Sequence, residues 1–140
     1  MPRGWHRALE RYGAPQLNER YQTFKGQEQL SAYEAMSDSE FAAWSAIKLI
    51  TNSVSLITSQ SEFIDVRAVL DHPTTQVDLY KGTRGSIRSW NNQLRQPMLL
   101  ATPDAVIDVA PMPKFLHPLH YVDTLGLDQS ESPCNLKKSR

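Results

Sequence analysis

A capping box constrains this chain more than any other feature, because it fixes where the most regular helix begins. Ser37 and Glu40 lie three positions apart, immediately before an apolar run. At that spacing each side chain can accept a hydrogen bond from the other residue's unpaired backbone N–H. The spacing therefore predicts a helix over residues 37–58.

The predicted helix is amphipathic and has a broad apolar stripe. The residues on this stripe recur at helical spacing and are Ala43, Ala46, Ile47, Ile50, Val54 and Ile57, and Leu49 and Leu56 widen the stripe to roughly half of the circumference. Such a stripe normally faces the core of a globular protein, so we expect it to be buried. Phe41 and Trp44 fall on the opposite, mostly polar face. We expect these two rings to contact either the chain's own N-terminal segment or another chain.

The patterns on the two sides of this helix differ, and together they predict an α+β fold. Before the helix, Trp5, Leu9 and Tyr12 follow helical spacing, and residues 16–25 and 27–36 are interpreted as two more helices or as one helix bent at Gly26. After it, strands are predicted over residues 63–70, 77–81, 86–90 and 105–109, mainly from the alternation of apolar and polar residues, and residues 98–101 form a short apolar run. We expect N-terminal helices (about 4–58) packed on a small antiparallel β-meander (about 63–110), in a single domain spanning residues 1–110.

The last part of the chain, residues 111–140, is predicted to be an extended C-terminal arm with a polar tail. Pro111, Pro113 and Pro118 disfavour a regular helix or an inner strand. The arm is nevertheless too apolar for a free linker. It can pack on its own domain or on a neighbouring subunit, and the sequence leaves both arrangements open.

Composition restricts the classes of function. The chain has 140 residues and a net charge of zero, with 15 basic and 15 acidic side chains, and near-zero charge favours association. No apolar run approaches the ~18 residues of a membrane span, and a single cysteine, Cys134, excludes an internal disulfide framework. We expect a soluble intracellular protein, cytoplasmic or within a virus-like assembly, with no membrane span and no cofactor.

A basic hairpin is predicted over residues 81–95, because no acidic residue lies between Asp78 and Asp104. Cations can neutralise phosphates there, and aromatic rings can stack on bases. The residues that would do so are Tyr80, Lys81, Arg84, Arg88, Trp90 and Arg95. Nucleic-acid binders are usually basic, whereas this chain is neutral, so nucleic-acid binding is kept as the alternative function.

No catalytic or metal motif stands out in the sequence. His117 and His120 are three apart, but Pro118 disfavours the helix that would present both to one metal. The chain contains neither a G-x-S-x-G elbow nor a P-loop. We therefore predict a protein that is not an enzyme but a protein-interaction or structural assembly subunit, either homo-oligomeric or bound to another protein. The predicted interface residues are Phe41, Trp44, Phe115, Leu119 and Tyr121.

Overall fold

Helices dominate the first half of the molecule, and short strands dominate the second half. The computed structural model describes residues 1–27, 35–55, 66–72, 74–114 and 116–133. The helices are α1 (Ala14–Gln27), α2 (Asp38–Ser55) and α3 (Val66–Asp71), and a 3-10 helix spans Tyr121–Leu125. The strands are β1 (Pro2–Arg3), β2 (Val77–Asp78), β3 (Arg84–Ile87), β4 (Leu94–Arg95), β5 (Met98–Ala101) and β6 (Val106–Ala110). This combination confirms the predicted α+β fold.

The described strands form two antiparallel sheets of three strands each, where the sequence predicted one meander. Strands β2, β3 and β4 follow one another as a meander, and β5 and β6 pair as a hairpin. The chain's first strand, β1, completes the second sheet by pairing with β5, with Arg3 opposite Leu99. The ammonium group of Met1 donates a hydrogen bond of 2.8 Å to the carbonyl oxygen of Ala101. This pairing joins residues about a hundred positions apart, which the alternation within a single segment does not reveal.

Helix α2 begins as the capping box predicted. The backbone N–H of Glu40 donates to Ser37 Oγ at 3.2 Å, and that of Ser37 donates to Glu40 Oε2 at 2.8 Å. The Tyr21 hydroxyl also donates to Glu40, and this bond, followed by those from Ser37, lowers the pKa of the Glu40 carboxyl to about 2. The end predicted near residue 58 lies outside the described residues, which follow the helix to Ser55.

Two predicted elements are wrong. Val66–Asp71, predicted as part of a strand over 63–70, is helix α3, and residues 63–65 lie outside the described residues. The helix brings Arg67 Nε within 2.9 Å of the carboxylate of Asp71, an i, i+4 pair that stabilises a short helix. The N-terminal helix predicted from Trp5, Leu9 and Tyr12 does not form, and residues 5–13 lie in turns and irregular backbone. Tyr12 and Gly13, which follow one another, have positive φ angles of 61° and 81°. A helix cannot continue through left-handed residues, so α1 starts only at Ala14.

The segments predicted as helices over 16–25 and 27–36 have different outcomes. The first is confirmed as the body of α1, which runs on through Gly26 to Gln27. Most of the second lies outside the described residues, and residues 35–37 are not helical.

The hydrophobic core lies between the helices and both sheets. Its buried members are Trp5, Leu9, Ala14, Leu17, Met36, Phe41, Leu49, Val77, Leu79 and Leu99. At its centre the ring of Trp5 stacks on that of Phe41, with centroids 4.6 Å apart and planes 11° from parallel. The backbone N–H of Trp5 also donates to Asp38 Oδ1 at 2.7 Å. The N-terminal segment is thereby fixed to the start of α2, and Phe41 is a core residue.

Candidate protein-interaction surface

Helix α2 faces the core with a different side from the one its apolar pattern predicts. Its buried residues are Phe41, Ser45, Leu49 and Ser53, which follow one another at steps of four. Of the predicted core stripe, Leu49 is buried, but its centre is exposed: Ile47 has 63%, Ile50 50% and Val54 48% of its surface open to solvent. With the exposed Ala43, these side chains are spaced 4, 3 and 4 apart, the spacing of a helix that packs along another helix. We call Ala43, Ile47, Ile50 and Val54 the α2 seam.

The size of Phe41 and the bonding of two serines account for this orientation. Burying a large aromatic side chain removes more apolar surface from water than burying an alanine or a valine. The buried hydroxyls carry little penalty, because Ser45 Oγ donates to the carbonyl of Phe41 at 2.7 Å and Ser53 Oγ donates to that of Leu49 at 2.8 Å. The helix can therefore bury its serine side and leave its isoleucines in solvent.

An apolar groove of about 620 Å³ lies between α1 and α2, next to the seam. Its walls are mainly aromatic and aliphatic and include Leu17, Tyr21, Phe24, Met36, Trp44 and Tyr80. Ile47 belongs both to the groove and to the seam, and Phe24 is 55% exposed at the opposite wall. The groove and the seam therefore form one continuous apolar surface, of the kind that marks contact sites.

The floor of the groove is held rigidly by stacked side chains. The Trp44 ring lies 5.5 Å from that of Phe41 and 5.8 Å from that of Tyr80, measured between centroids. Lys48 Nζ sits 4.8 Å from the Trp44 ring and 4.3 Å from the Tyr80 ring, a favourable cation–π position. Tyr80 has a positive φ of 56° and lies so close to Gly13 that a Cβ there would come within 2.8 Å of its ring. These contacts hold Trp44 and Tyr80 in place in the groove.

The groove carries an excess of positive charge. Among the described residues that line it, the one acidic side chain is Glu40, which already accepts hydrogen bonds from Tyr21 and Ser37 and lies 3.5 Å from Lys25 Nζ. Arg20 and Lys48 line the same groove, and neither forms an ion pair with a carboxylate of the described residues. A negatively charged partner would be favoured at this position.

The C-terminal arm packs on the β3–β4 hairpin of its own chain. Val122, in the 3-10 helix, is fully buried. Asp123 Oδ1 accepts hydrogen bonds from Arg88 Nε at 2.6 Å and from Arg95 Nε at 2.9 Å. Burial raises the pKa of the Asp123 carboxyl, but the bonds from Arg95 and Arg88 outweigh it and hold that pKa below its usual value. The described arm is thus fixed in cis by a carboxylate shared between two guanidinium groups.

The outer side of the arm is apolar. Leu119 is 89% exposed and Leu127 is 58% exposed. Tyr121 is half-buried and stacks on His120 with centroids 5.7 Å apart. Of the five predicted interface residues, Trp44 and Leu119 are accessible, Phe41 is in the core, and Phe115 lies outside the described residues.

The six residues proposed for nucleic-acid binding do not share one surface. Lys81 and Arg88 are buried, and Arg95 is tied to Asp123 and to the carbonyl of Ile87 at 3.3 Å. Tyr80 belongs to the α1–α2 groove, whereas Trp90 lines a separate cleft beside the arm. Arg84 is the exposed cation of the set. Phosphate tracking requires several accessible cations, so this geometry does not favour it.

The cleft beside the arm has a volume of about 830 Å³ and holds His117 and His120. His117 Nδ1 accepts hydrogen bonds from the backbone N–H groups of Leu119 at 3.2 Å and His120 at 3.4 Å. Its other nitrogen, Nε2, lies 3.1 Å from Asp128 Oδ1 and therefore carries the proton of that bond. Burial, together with the charge of Arg95, lowers the pKa of His120. Both ring nitrogens of His117 are engaged, so it is placed to hold the arm rather than to act as a base.

The described residues contain neither a metal-binding cluster nor a membrane-spanning helix. No group of three or more His, Cys, Asp or Glu side chains is arranged there to hold a metal ion. None of the described helices has the length and apolar character needed to cross a membrane.

Comparison with known proteins adds no relative. A scan against protein-family models, a search of curated proteins and a search of solved structures each find no match.

The groove between α1 and α2 is the feature that the sequence did not predict. Its described residues come from α1, α2, the turn at Tyr80 and Met36, which precedes α2, and only the position of Trp44 on the polar face of its helix pointed towards it.

Proposed function

We propose that this protein is a non-enzymatic structural assembly subunit that binds further copies of itself through helix α2 and the C-terminal arm. The observation that carries the proposal is the orientation of α2. The helix buries Ser45 and Ser53 while Ile47, Ile50 and Val54 are exposed. A free monomer gains nothing from this arrangement, whereas a contact with a second chain would bury the exposed side chains.

The α2 seam has the properties of a helix-packing surface. Its 4-3-4 spacing extends over about two heptads, and Lys48 is the only charged residue between residues 41 and 55. An uncharged seam can face a second copy of itself without repulsion, in the isologous manner of a two-fold dimer. Burying the exposed part of three aliphatic side chains contributes on the order of 1 kcal/mol each. A seam of this length therefore supports a weak dimer and benefits from a second contact.

Light scattering on the full chain tests the proposal. We expect the molar mass to exceed that of a monomer and to rise with concentration. The variant Ile50→Glu/Val54→Glu places two charges in the seam and should weaken self-association by at least about ten-fold.

The matched control is Thr51→Glu/Ser55→Glu, because both of these residues are exposed on α2 but lie off the seam. It adds the same charge at the same spacing and should leave the mass unchanged. A wild-type chain that stays monomeric at high concentration would overturn the proposed function, as would equal effects of the two variants.

A further inference from the structure

We propose that the groove between α1 and α2 receives the C-terminal arm of a second copy. In this contact Leu119 and Leu127 pack between the apolar walls of the groove, and the acidic turn of residues 128–131 faces Arg20 and Lys48. This inference rests on the proposed function and specifies a second, different contact. The residues that form the groove and the arm match in polarity and in charge.

The groove offers apolar walls with a basic rim. Phe24 and Ile47 expose more than half of their surfaces on its two walls. Arg20 and Lys48 have no carboxylate partner in the described part of the chain, and Glu40 is already held by Tyr21, Ser37 and Lys25. An occupant must therefore bring aliphatic side chains and negative charge together.

The C-terminal arm carries both aliphatic side chains and negative charge. Leu119, Leu127 and Asp128 border the same cleft, so they lie close together on the arm. Glu131 is exposed, and its carboxylate accepts the backbone N–H of Asp128 at 3.2 Å, which closes the acidic turn. The leucines and carboxylates thus form one acidic, apolar knob.

The arm is also fixed before it binds. Asp123 is held by Arg88 and Arg95, and His117 is held by Asp128 at 3.1 Å. Little conformational entropy is then lost on association, which favours even a small contact.

The symmetry of this contact follows from its two unlike surfaces. No described residue of the arm lines the groove of its own chain, so the contact joins different copies. A groove-to-arm contact is heterologous and builds rings or open chains, whereas the α2 seam is isologous and stops at a dimer.

Mixing two variants distinguishes the contacts. The arm variant is Leu119→Glu/Leu127→Glu, and the groove variant is Arg20→Glu/Phe24→Ser. Each variant alone should stop at the seam dimer in light scattering. An equimolar mixture should form larger species again, because one variant keeps an intact groove and the other an intact arm.

The control is Arg84→Glu, which reverses an exposed charge outside the groove and should assemble like the wild-type chain. If both variants assemble to the wild-type mass while Ile50→Glu/Val54→Glu does not, the arm contact is overturned and the proposed function stands. An equimolar mixture of the arm and groove variants that stays at the dimer mass would also overturn the arm contact. A monomeric wild-type chain would remove the proposed function itself.

Discussion

Arg88 Nε lies 2.6 Å from Asp123 Oδ1, and this ion pair connects the β3–β4 hairpin to the C-terminal arm across 35 positions of sequence. Both side chains are nearly buried, with 7% and 13% of their surfaces exposed. Arg95 shares the same carboxylate oxygen at 2.9 Å. One acidic residue therefore neutralises two partly desolvated cations and decides where the arm lies.

Removing this carboxylate should destabilise the protein and release the arm. Asp123→Asn leaves Arg88 and Arg95 without their counter-charge, and breaking a buried ion pair costs about 3 kcal/mol. We expect that loss in urea unfolding, together with faster proteolysis within residues 111–133. Asp104→Asn is the control, because its side chain is 88% exposed and lies 4.0 Å from Arg7. Equal stability of the two variants would contradict the assigned role of Asp123.

Asp123 also predicts that the stability of the protein depends on pH in the acidic range. The pKa of Asp123 is lower in the folded protein than its ordinary value of 3.8. The stabilisation is therefore complete above that ordinary value and declines as the pH falls through the folded pKa, since the unfolded chain takes up the proton first. The difference in unfolding free energy between wild type and Asp123→Asn should shrink as the pH is lowered from 6 towards about 3. A difference that stays constant over this range would show that the carboxylate is not the titrating group.

Lys81 predicts that the stability of the protein also depends on pH in the neutral to alkaline range. Its Nζ donates to Gln96 Oε1 at 2.7 Å and to the carbonyl of Pro97 at 3.2 Å, and it lies 4.6 Å from the ring centroid of Phe41. Burial lowers the pKa of Lys81 to about 7, against a smaller opposing effect of Asp38. Above that pH the folded chain loses the proton while the unfolded chain keeps it until about pH 10, so stability should rise with pH over this interval.

The variant Lys81→Met removes the titrating group and should remove this rise. Wild-type stability, measured by urea unfolding between pH 6.5 and about 9.5, should increase relative to that of the variant. Lys114→Met is the control, because Lys114 is exposed, and it should follow the wild-type slope. Parallel curves for wild type and Lys81→Met would refute a buried, titrating Lys81.

The features that the sequence predicted correctly are local. Ser37 and Glu40 interact over three positions, so their types and spacing suffice to place the start of α2. The predicted strands likewise overlap β2, β3 and β6, and the short apolar run over residues 98–101 coincides with β5. The partner of β5 was not predictable in this way, because β1 has two residues and comes from the other end of the chain.

The features that failed depend on contacts between distant residues. Arg88 and Arg95 resembled an exposed basic surface because their shared partner, Asp123, lies 35 and 28 positions away. The buried side of α2 was misassigned because the pattern of Ala, Ile and Val outweighs one aromatic residue in a count of apolar positions. In the structure Phe41 stacks on Trp5, so the Phe41 side of α2 is the buried one. This stack joins two segments that no local pattern connects.

The orientation of α2 is testable in the monomer itself. Phe41 is buried against Trp5, so Phe41→Ala should destabilise the chain by about 4 kcal/mol through lost burial and a cavity. Ile47 is 63% exposed, so Ile47→Ala should change the free energy of unfolding by no more than about 0.5 kcal/mol. Both variants should be unfolded in urea at concentrations low enough to keep the wild-type chain dissociated. The apolar pattern of the sequence makes the opposite prediction, with a large effect at Ile47 and a small one at Phe41. That result would mean that the seam faces the chain's own core, and the surface proposed for assembly would then not exist.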